Sequence, residues 1–348
     1  MDFSSYFKNK IILVTGGTGT IGSEIVSQLL KFNPKTIRIF SNSENELWEA
    51  KFKFQDYGDK LRFLLGDLRN FERIRRASQH VDYIFNAAAI KHVPISEYNP
   101  MEAINVNIHG LENLIEAAYL NKVKKLIHIS TDKAVNPTTV MGATKMLGER
   151  LLISREMTKG KHLTIISCVR FGNVLGSRGS IIPLLKEQIK KSNSVTLTDE
   201  RMKRFFLSIT QAVELVIKST ILAKGGEIFV LKMPIIIIKD LIEVVISEYC
   251  KKINLDPKSI EIKMIGPRPG EKLDEELISP VEFASCYEIE DMFIIYPITH
   301  FGYDLDFEET IISGSKKISK KNFIYNTENS IPLSKDEIKK LLFKYNLI

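Results

Sequence analysis

The order of apolar and polar positions divides the chain into two unequal stretches. In the first, short apolar runs alternate with longer segments whose apolar residues recur every three or four positions. Ile11-Ile12-Leu13-Val14 is a strand pattern buried on both faces. Behind it Ile21, Ile25, Val26, Leu29 and Leu30 recur at helical spacing. Further strands are predicted over 36–40, 61–65, 83–86, 125–130 and 164–170. Helices are predicted over 101–119 and 141–154. Such alternation of strand and helix predicts an α/β fold around a parallel sheet.

After residue 172 the alternation loosens. Short segments rich in Gly, Pro and Arg follow: GNVLGSRGS, TDERMKRFF and IGPRPGEK. Residues 1–172 are therefore expected to form the sheet domain, with segments near 205–232 returning to it. Residues 173–300 are expected to form a smaller substrate-binding lobe, and 301–348 a polar tail with one helix over 334–345.

Composition narrows the picture. Hydrophobic residues make up 44% and charged residues 26% of the 348, enough for a core without staples. Cys168, Cys250 and Cys286 are odd in number and far apart, so neither a disulfide framework nor a metal set is expected. They are expected to be reduced, and the protein cytoplasmic. The N-terminal MDFSSYFKNK has no apolar core of a signal peptide, and no run approaches the roughly 20 apolar residues of a membrane span. A net charge of +7 suits the holding of phosphate groups. No basic stripe interleaved with aromatics is present, so nucleic acid is not an expected partner.

Thr15-Gly16-Gly17-Thr18-Gly19-Thr20-Ile21-Gly22 follows the first strand and opens the first long helix. In that context a glycine turn offers free N–H groups and a positive dipole end to a pyrophosphate. The sheet is thus expected to be a Rossmann-type, doubly wound one. Gly16, Thr18, Gly19, Thr20, Ile21 and Gly22 are candidate cofactor residues. An acid ending the second strand marks NAD, because it holds the ribose 2′-hydroxyl. Phe40-Ser41-Asn42-Ser43 has none, so NADP is favoured over NAD, with Arg38 or Arg69 as the cation for a 2′-phosphate. Ser41, Asn42, Asp67, Leu68, Ala87 and Ala88 complete the cofactor set.

Ser130-Thr131-Asp132-Lys133 closes the fifth strand, and strand C-termini line the ligand crevice of such a sheet. Met141 and Lys145 share a helix face one turn apart. With these residues the chain resembles the extended short-chain dehydrogenase/reductases, and among them the UDP-N-acetylglucosamine 4,6-dehydratases of surface-glycan pathways. The resemblance rests on TGGTGTIGSE, GDLRN, AAAIKHVP, STDKAVNPTTVMGATK, RFGNVLGSRGS, RMKRFF, GEIFVLKMP, IGPRPGEKL and the tail YNTENSIPLSKDEIKKLL. One position departs from the family pattern. Met141 stands where the family has a tyrosine, and a thioether moves no proton.

The resemblance implies a lyase that oxidises sugar C4, eliminates water across C5 and C6, and returns the hydride. It implies Lys133 as the C5 base, Asp132 as the acid for the departing hydroxyl, and Lys145 as the residue holding the nicotinamide ribose. Thr131 is expected at the C4 oxygen. Lys133 then needs a lowered pKa and Asp132 a raised one. Lys91, His92 and Asn173 are expected along the sugar and pyrophosphate. Arg204 and Arg268 are expected as phosphate forks, and Glu271 at ribose hydroxyls. The lysine after Asp132 favours C5 inversion over retention. A UDP-sugar 4-epimerase is the alternative, sharing the C4 oxidation but leaving Asp132 and Lys133 idle. Family members also pair through two helices, which makes the 101–119 and 141–154 segments the expected homo-oligomer contact.

Overall fold

The first apolar run becomes the centre of the molecule. The computed structural model describes residues 3–297, 311–319 and 325–348. Ile11–Thr15 (β1), Thr36–Ser41 (β2), Leu61–Leu65 (β3), Tyr83–Asn86 (β4), Lys125–Ile129 (β5) and Ile165–Arg170 (β6) form the strands predicted, with ends shifted by at most a residue. They pair in parallel in the order β3-β2-β1-β4-β5-β6. The order reverses between β1 and β4, which opens a crevice above their carboxyl ends. This is the Rossmann-type doubly wound sheet. Ile12, Leu13 and Val14 are wholly buried, as a strand covered on both faces must be.

Beyond β6 the sheet continues with Ile228–Leu231 in parallel, and then with Met292–Ile295, Cys286–Glu288 and Lys316–Lys317 in antiparallel register. The return of the chain near 228 was expected. The later return at 286–295 was not, because its short runs carry no helix between them.

The predicted helix over 101–119 is continuous but not uniform. Pro100–Ile104 and Gly110–Leu120 are α-helical, and Asn105–His109 between them is a π turn. The wider turn brings the buried Asn107 onto the loop after β4. Its amide accepts from Ile90 N (2.9 Å) and donates to Ile90 O (3.0 Å) and Thr144 Oγ1 (2.9 Å).

A second, smaller core gathers Ile182, Leu185 and Ile189 of helix Ile181–Ser192, Val195, Phe206, and Leu241, Val245 and Tyr249 of helix Ile238–Lys252. The last helix, Lys335–Lys344, belongs to this core rather than to a loose tail. Ile338 and Leu342 are wholly buried there, and Ser334 and Glu337 close a capping box at its start. Tyr325–Asn326 also pairs with Glu276–Ile278. The stretches 298–310 and 320–324 of the expected tail lie outside the described residues.

Arg170, at the end of β6, ties helix Val140–Thr158 to the 277–282 segment at the main core. It is 1% exposed, and its guanidinium meets Glu149 Oε2 at 2.6 Å and Glu282 Oε1 at 2.8 Å, while also donating to Leu277 O at 2.8 Å. A charge this deep is tolerable only when its N–H groups are fully engaged. Cys168, Cys250 and Cys286 are buried free thiols. No helix of the described residues is long and apolar enough to cross a membrane, and none of their His, Cys, Asp and Glu side chains form a metal-binding group of three.

Candidate active site

A cleft of ≈ 1120 Å³ runs over the carboxyl ends of β1, β2, β4 and β5. That exceeds the roughly 300–1,000 Å³ of an ordinary small-ligand pocket and suits two ligands end to end. Every expected site residue lines it except Asp132 and Arg38: Gly16, Thr18, Gly19, Thr20, Ile21, Gly22, Ser41, Asn42, Asp67, Leu68, Arg69, Ala87, Ala88, Lys91, His92, Thr131, Lys133, Met141, Lys145, Asn173, Arg204, Arg268 and Glu271.

At one end is the glycine turn. A Cβ on Gly22 would stand 2.2 Å from Gly16 O, so this glycine is required by the turn folding on itself rather than by a ligand. Gly19 N-caps helix Thr20–Leu30 with no side-chain cap, which leaves the helix's opening N–H groups turned to the cleft. Beside it the Thr18 hydroxyl donates to Glu46 Oε2 at 2.6 Å and lies 3.0 Å from Ser41 Oγ. Arg178 reaches over from the loop after Asn173–Leu175. Its guanidinium meets Glu46 Oε1 (2.7 Å) and Thr18 O (3.0 Å), and its N–H meets Thr20 Oγ1 (3.1 Å).

Two expected cations are not free for a 2′-phosphate. Arg38 turns away from the cleft and donates to Ala77 O at 2.6 Å and Gln79 O at 2.8 Å. Arg69 lines the cleft but is held by Asp67 Oδ2 at 2.7 Å and Glu102 Oε2 at 2.8 Å.

The other end is built after β5. Thr131 opens a 3₁₀ turn over Asp132–Ala134, and Gly142 lets the next helix, Val140–Thr158, press against it, since a Cβ there would sit 2.4 Å from Lys133 O. Lys133 Nζ lies 3.0 Å from Asp132 Oδ1 and 3.7 Å from Glu275 Oε1. Thr131 Oγ1 donates to the same Asp132 oxygen at 2.8 Å. Met141 is 4% exposed and faces the cleft at the head of the helix, and Lys145 Nζ donates to Ile129 O at 2.8 Å.

Three expectations are corrected at this end. Asp132 is wholly buried beneath Thr131 and Lys133, and its Oδ2 has no partner. The carboxyl that reaches the cleft is Glu275. Lys133 is raised rather than lowered: burial acts to lower it, but the charges of Asp132 and Glu275 together outweigh burial. The lowered amine is Lys145, which burial takes from 10.5 to about 8, and Glu275 is the raised carboxyl, again through burial. Finally, Arg204 spends its guanidinium on the carbonyls of Lys203 (2.7 Å), Leu273 (2.9 Å) and Lys272 (2.8 Å). It therefore holds the 268–272 loop in place more than it offers a free phosphate fork. In that loop Glu271 accepts from Arg268 N at 3.1 Å.

Lys91 donates to Arg178 O at 3.3 Å, and burial lowers its pKa. The residues missed by sequence reasoning are Glu46, Arg178 and Glu275. Glu275 sits in an Asp-Glu-Glu run that reads as solvated surface, and Glu46 lies past the strand end where an acid is sought.

The fold and cleft define a Rossmann-type α/β protein with an amine and two carboxyl groups clustered at one end of the cleft. The chain belongs to the polysaccharide biosynthesis protein family, which it matches over residues 12–297. It is 54% identical over 341 residues to an uncharacterized membrane protein of Methanocaldococcus jannaschii, covering 98% of this chain and 97% of that one. It is 38% identical to a UDP-glucose 4-epimerase of Rickettsia felis, covering 98% of both chains. The solved structure of Pen from Bacillus thuringiensis is similar at a TM-score of 0.91 and 42% identity, covering 99% of both chains.

Proposed function

We propose that the protein is a nucleotide-sugar 4,6-dehydratase acting on UDP-N-acetylglucosamine. The observation that carries this is the cluster after β5: Lys133 flanked by Asp132 and Glu275, beside a methionine that moves no proton. An elimination across C5 and C6 needs a base and an acid close together at those carbons, and a C4 epimerisation needs neither there.

The cleft fits a nicotinamide dinucleotide through the glycine turn, the uncapped helix start, the hydroxyls of Thr18 and Ser41, and the buried Lys145. When bound, that group takes hydride from sugar C4 and returns it, to C6 in a dehydratase or to C4 in an epimerase. This chain's residues do the rest. Thr131 would hydrogen-bond the C4 oxygen and relay the proton released there to the Asp132 carboxylate it donates to, which replaces the proton lost with the water. A C4 ketone acidifies the C5 proton, and Lys133 is the amine to accept it. Lys133 is protonated at rest, so its proton must first pass to a neighbouring carboxylate. That transfer yields a neutral amine and a carboxylic acid together, the two forms the elimination needs. Exclusion of water by the bound sugar favours the uncharged pair. Glu275 is the member of the cluster whose carboxyl reaches the cleft, so it is the group to protonate the departing C6 hydroxyl. Lys91, His92, Asn173, Arg268 and Glu271 line the remainder, where the sugar and UDP would lie. Met101 (61%) and Leu147 (49%) are exposed apolar side chains on the helices expected to pair in a homo-oligomer.

The test is proton NMR of UDP-N-acetylglucosamine incubated with the protein. A new C6 methyl doublet is expected. In deuterated water the same spectrum reports the C5 configuration, with inversion expected. A product that keeps its hydroxymethyl group supports the second reading, a UDP-sugar 4-epimerase. The relative of that name, at 38% identity, favours this alternative.

A further inference from the structure

We infer that Glu46 makes the cleft selective for NAD over NADP, taking the place of the acid that the second strand lacks. The inference rests on a dinucleotide occupying this cleft, but not on which sugar reaction follows. It reverses the preference read from the strand end alone.

The adenosine ribose of a dinucleotide lies beside the carboxyl end of the second strand in this type of sheet. That strand ends at Ser41 and is followed by Asn42 and the helix Glu44–Lys53, N-capped by Ser43. Glu46 is the third residue of that helix, where a glutamate customarily folds back to cap its own N-cap N–H. Glu337 does so in the last helix. Glu46 does not. Ser43 N bonds to Ser41 Oγ (3.3 Å) instead, and the Glu46 carboxylate turns outward to Thr18 of the glycine turn. It lines the cleft together with Thr18, Ser41 and Asn42. A carboxylate there can accept a hydrogen bond from a ribose hydroxyl, and it repels a phosphate dianion.

Among the described residues, the cations considered for that phosphate all have carboxylate or carbonyl partners already. Arg38 is committed to Ala77 and Gln79, and Arg69 to Asp67 and Glu102. Arg178 is already paired with Glu46 and bonded to Thr18 O, and withdrawing it to meet a phosphate would leave the carboxylate facing that phosphate unscreened. Asn42, the residue next to Ser41, is uncharged.

The experiment is equilibrium titration of the full-length protein, stripped of dinucleotide, with NAD and with NADP, followed by calorimetry. The wild type is expected to bind NAD on the order of tenfold more tightly. Glu46→Gln should narrow the ratio and Glu46→Lys should reverse it. The dinucleotide released on acid denaturation of freshly purified protein, identified by mass spectrometry, should be NAD. Equal or tighter binding of NADP by the wild type overturns the inference, as does a ratio unmoved by Glu46→Gln in a folded variant. Binding of neither dinucleotide overturns it together with the cofactor assignment. NAD preference without turnover of any UDP-sugar sinks only the proposed reaction.

Discussion

The two ends of the cleft are made from different materials. The dinucleotide end is mostly backbone and short side chains: a glycine turn, a helix start, and the hydroxyls of Thr18 and Ser41. All follow β1 or β2 closely in the chain. The reactive end is made of long charged side chains that converge from distant segments: Lys133 after β5, Arg204 from the strand Lys203–Ser208 and Glu275 from just before Glu276–Ile278. The first is fixed by local geometry. The second holds only while those distant segments stay packed together, and Arg170 ties two of them, helix Val140–Thr158 and the 277–282 segment.

The largest expected effect falls at the reactive end. Lys133→Ala should lower turnover by about 10²–10⁴, the usual worth of a general base, while NAD binding measured by calorimetry stays within twofold or so. Equal loss of both would erase the distinction between the ends. Next comes the buried Arg170 cluster. Arg170→Leu strands Glu149 and Glu282 in the interior and should cost roughly 3–5 kcal/mol in a chemical denaturation experiment. The further loss of Glu149 and Glu282 as Gln should recover part of it.

Glu275→Gln should reduce turnover by about 10–100-fold and shift the pH–rate profile, whereas a purely structural role would leave the profile in place. The smallest effect concerns Lys145. Its amine is lowered from 10.5 to about 8 by burial, so between those values the unfolded chain binds more protons than the folded one. Lys145 therefore makes stability rise with pH across that window, and its penalty is fully present below it. Lys145→Met should remove that part of the slope when denaturation is repeated from pH 7 to 10.

How legible each region was in the sequence follows from the same difference. The strands β1–β6, the turn at 16–22 and the Thr131-Asp132-Lys133 run are contiguous, and periodicity or a short motif places them. The late strands at 286–295 are short and unaccompanied by helices, so nothing in their spacing announced that they extend the main sheet. Asp132 and Lys133 are neighbours in sequence, yet the 3₁₀ turn sends one side chain down and the other toward the cleft. Only coordinates separate them. Arg204 carries the right chemistry for a phosphate, but two of the three carbonyls it meets belong to residues 68 and 69 positions away. Glu46 was passed over because an acid was sought at the strand end and stands one helical turn later.

The helix Lys335–Lys344 has a consequence for how the molecule is assembled. Ile338 and Leu342 lie at the heart of a core whose first members are near residue 175. That core cannot reach its final density until those late residues have been synthesised and have docked. On the ribosome, the glycine turn and its neighbouring strands are available to fold long before the lobe over the sugar end has its last wall. During that interval the part of Ile238–Lys252 that the last helix covers stands open, while helix Ile181–Ser192 already has its partner.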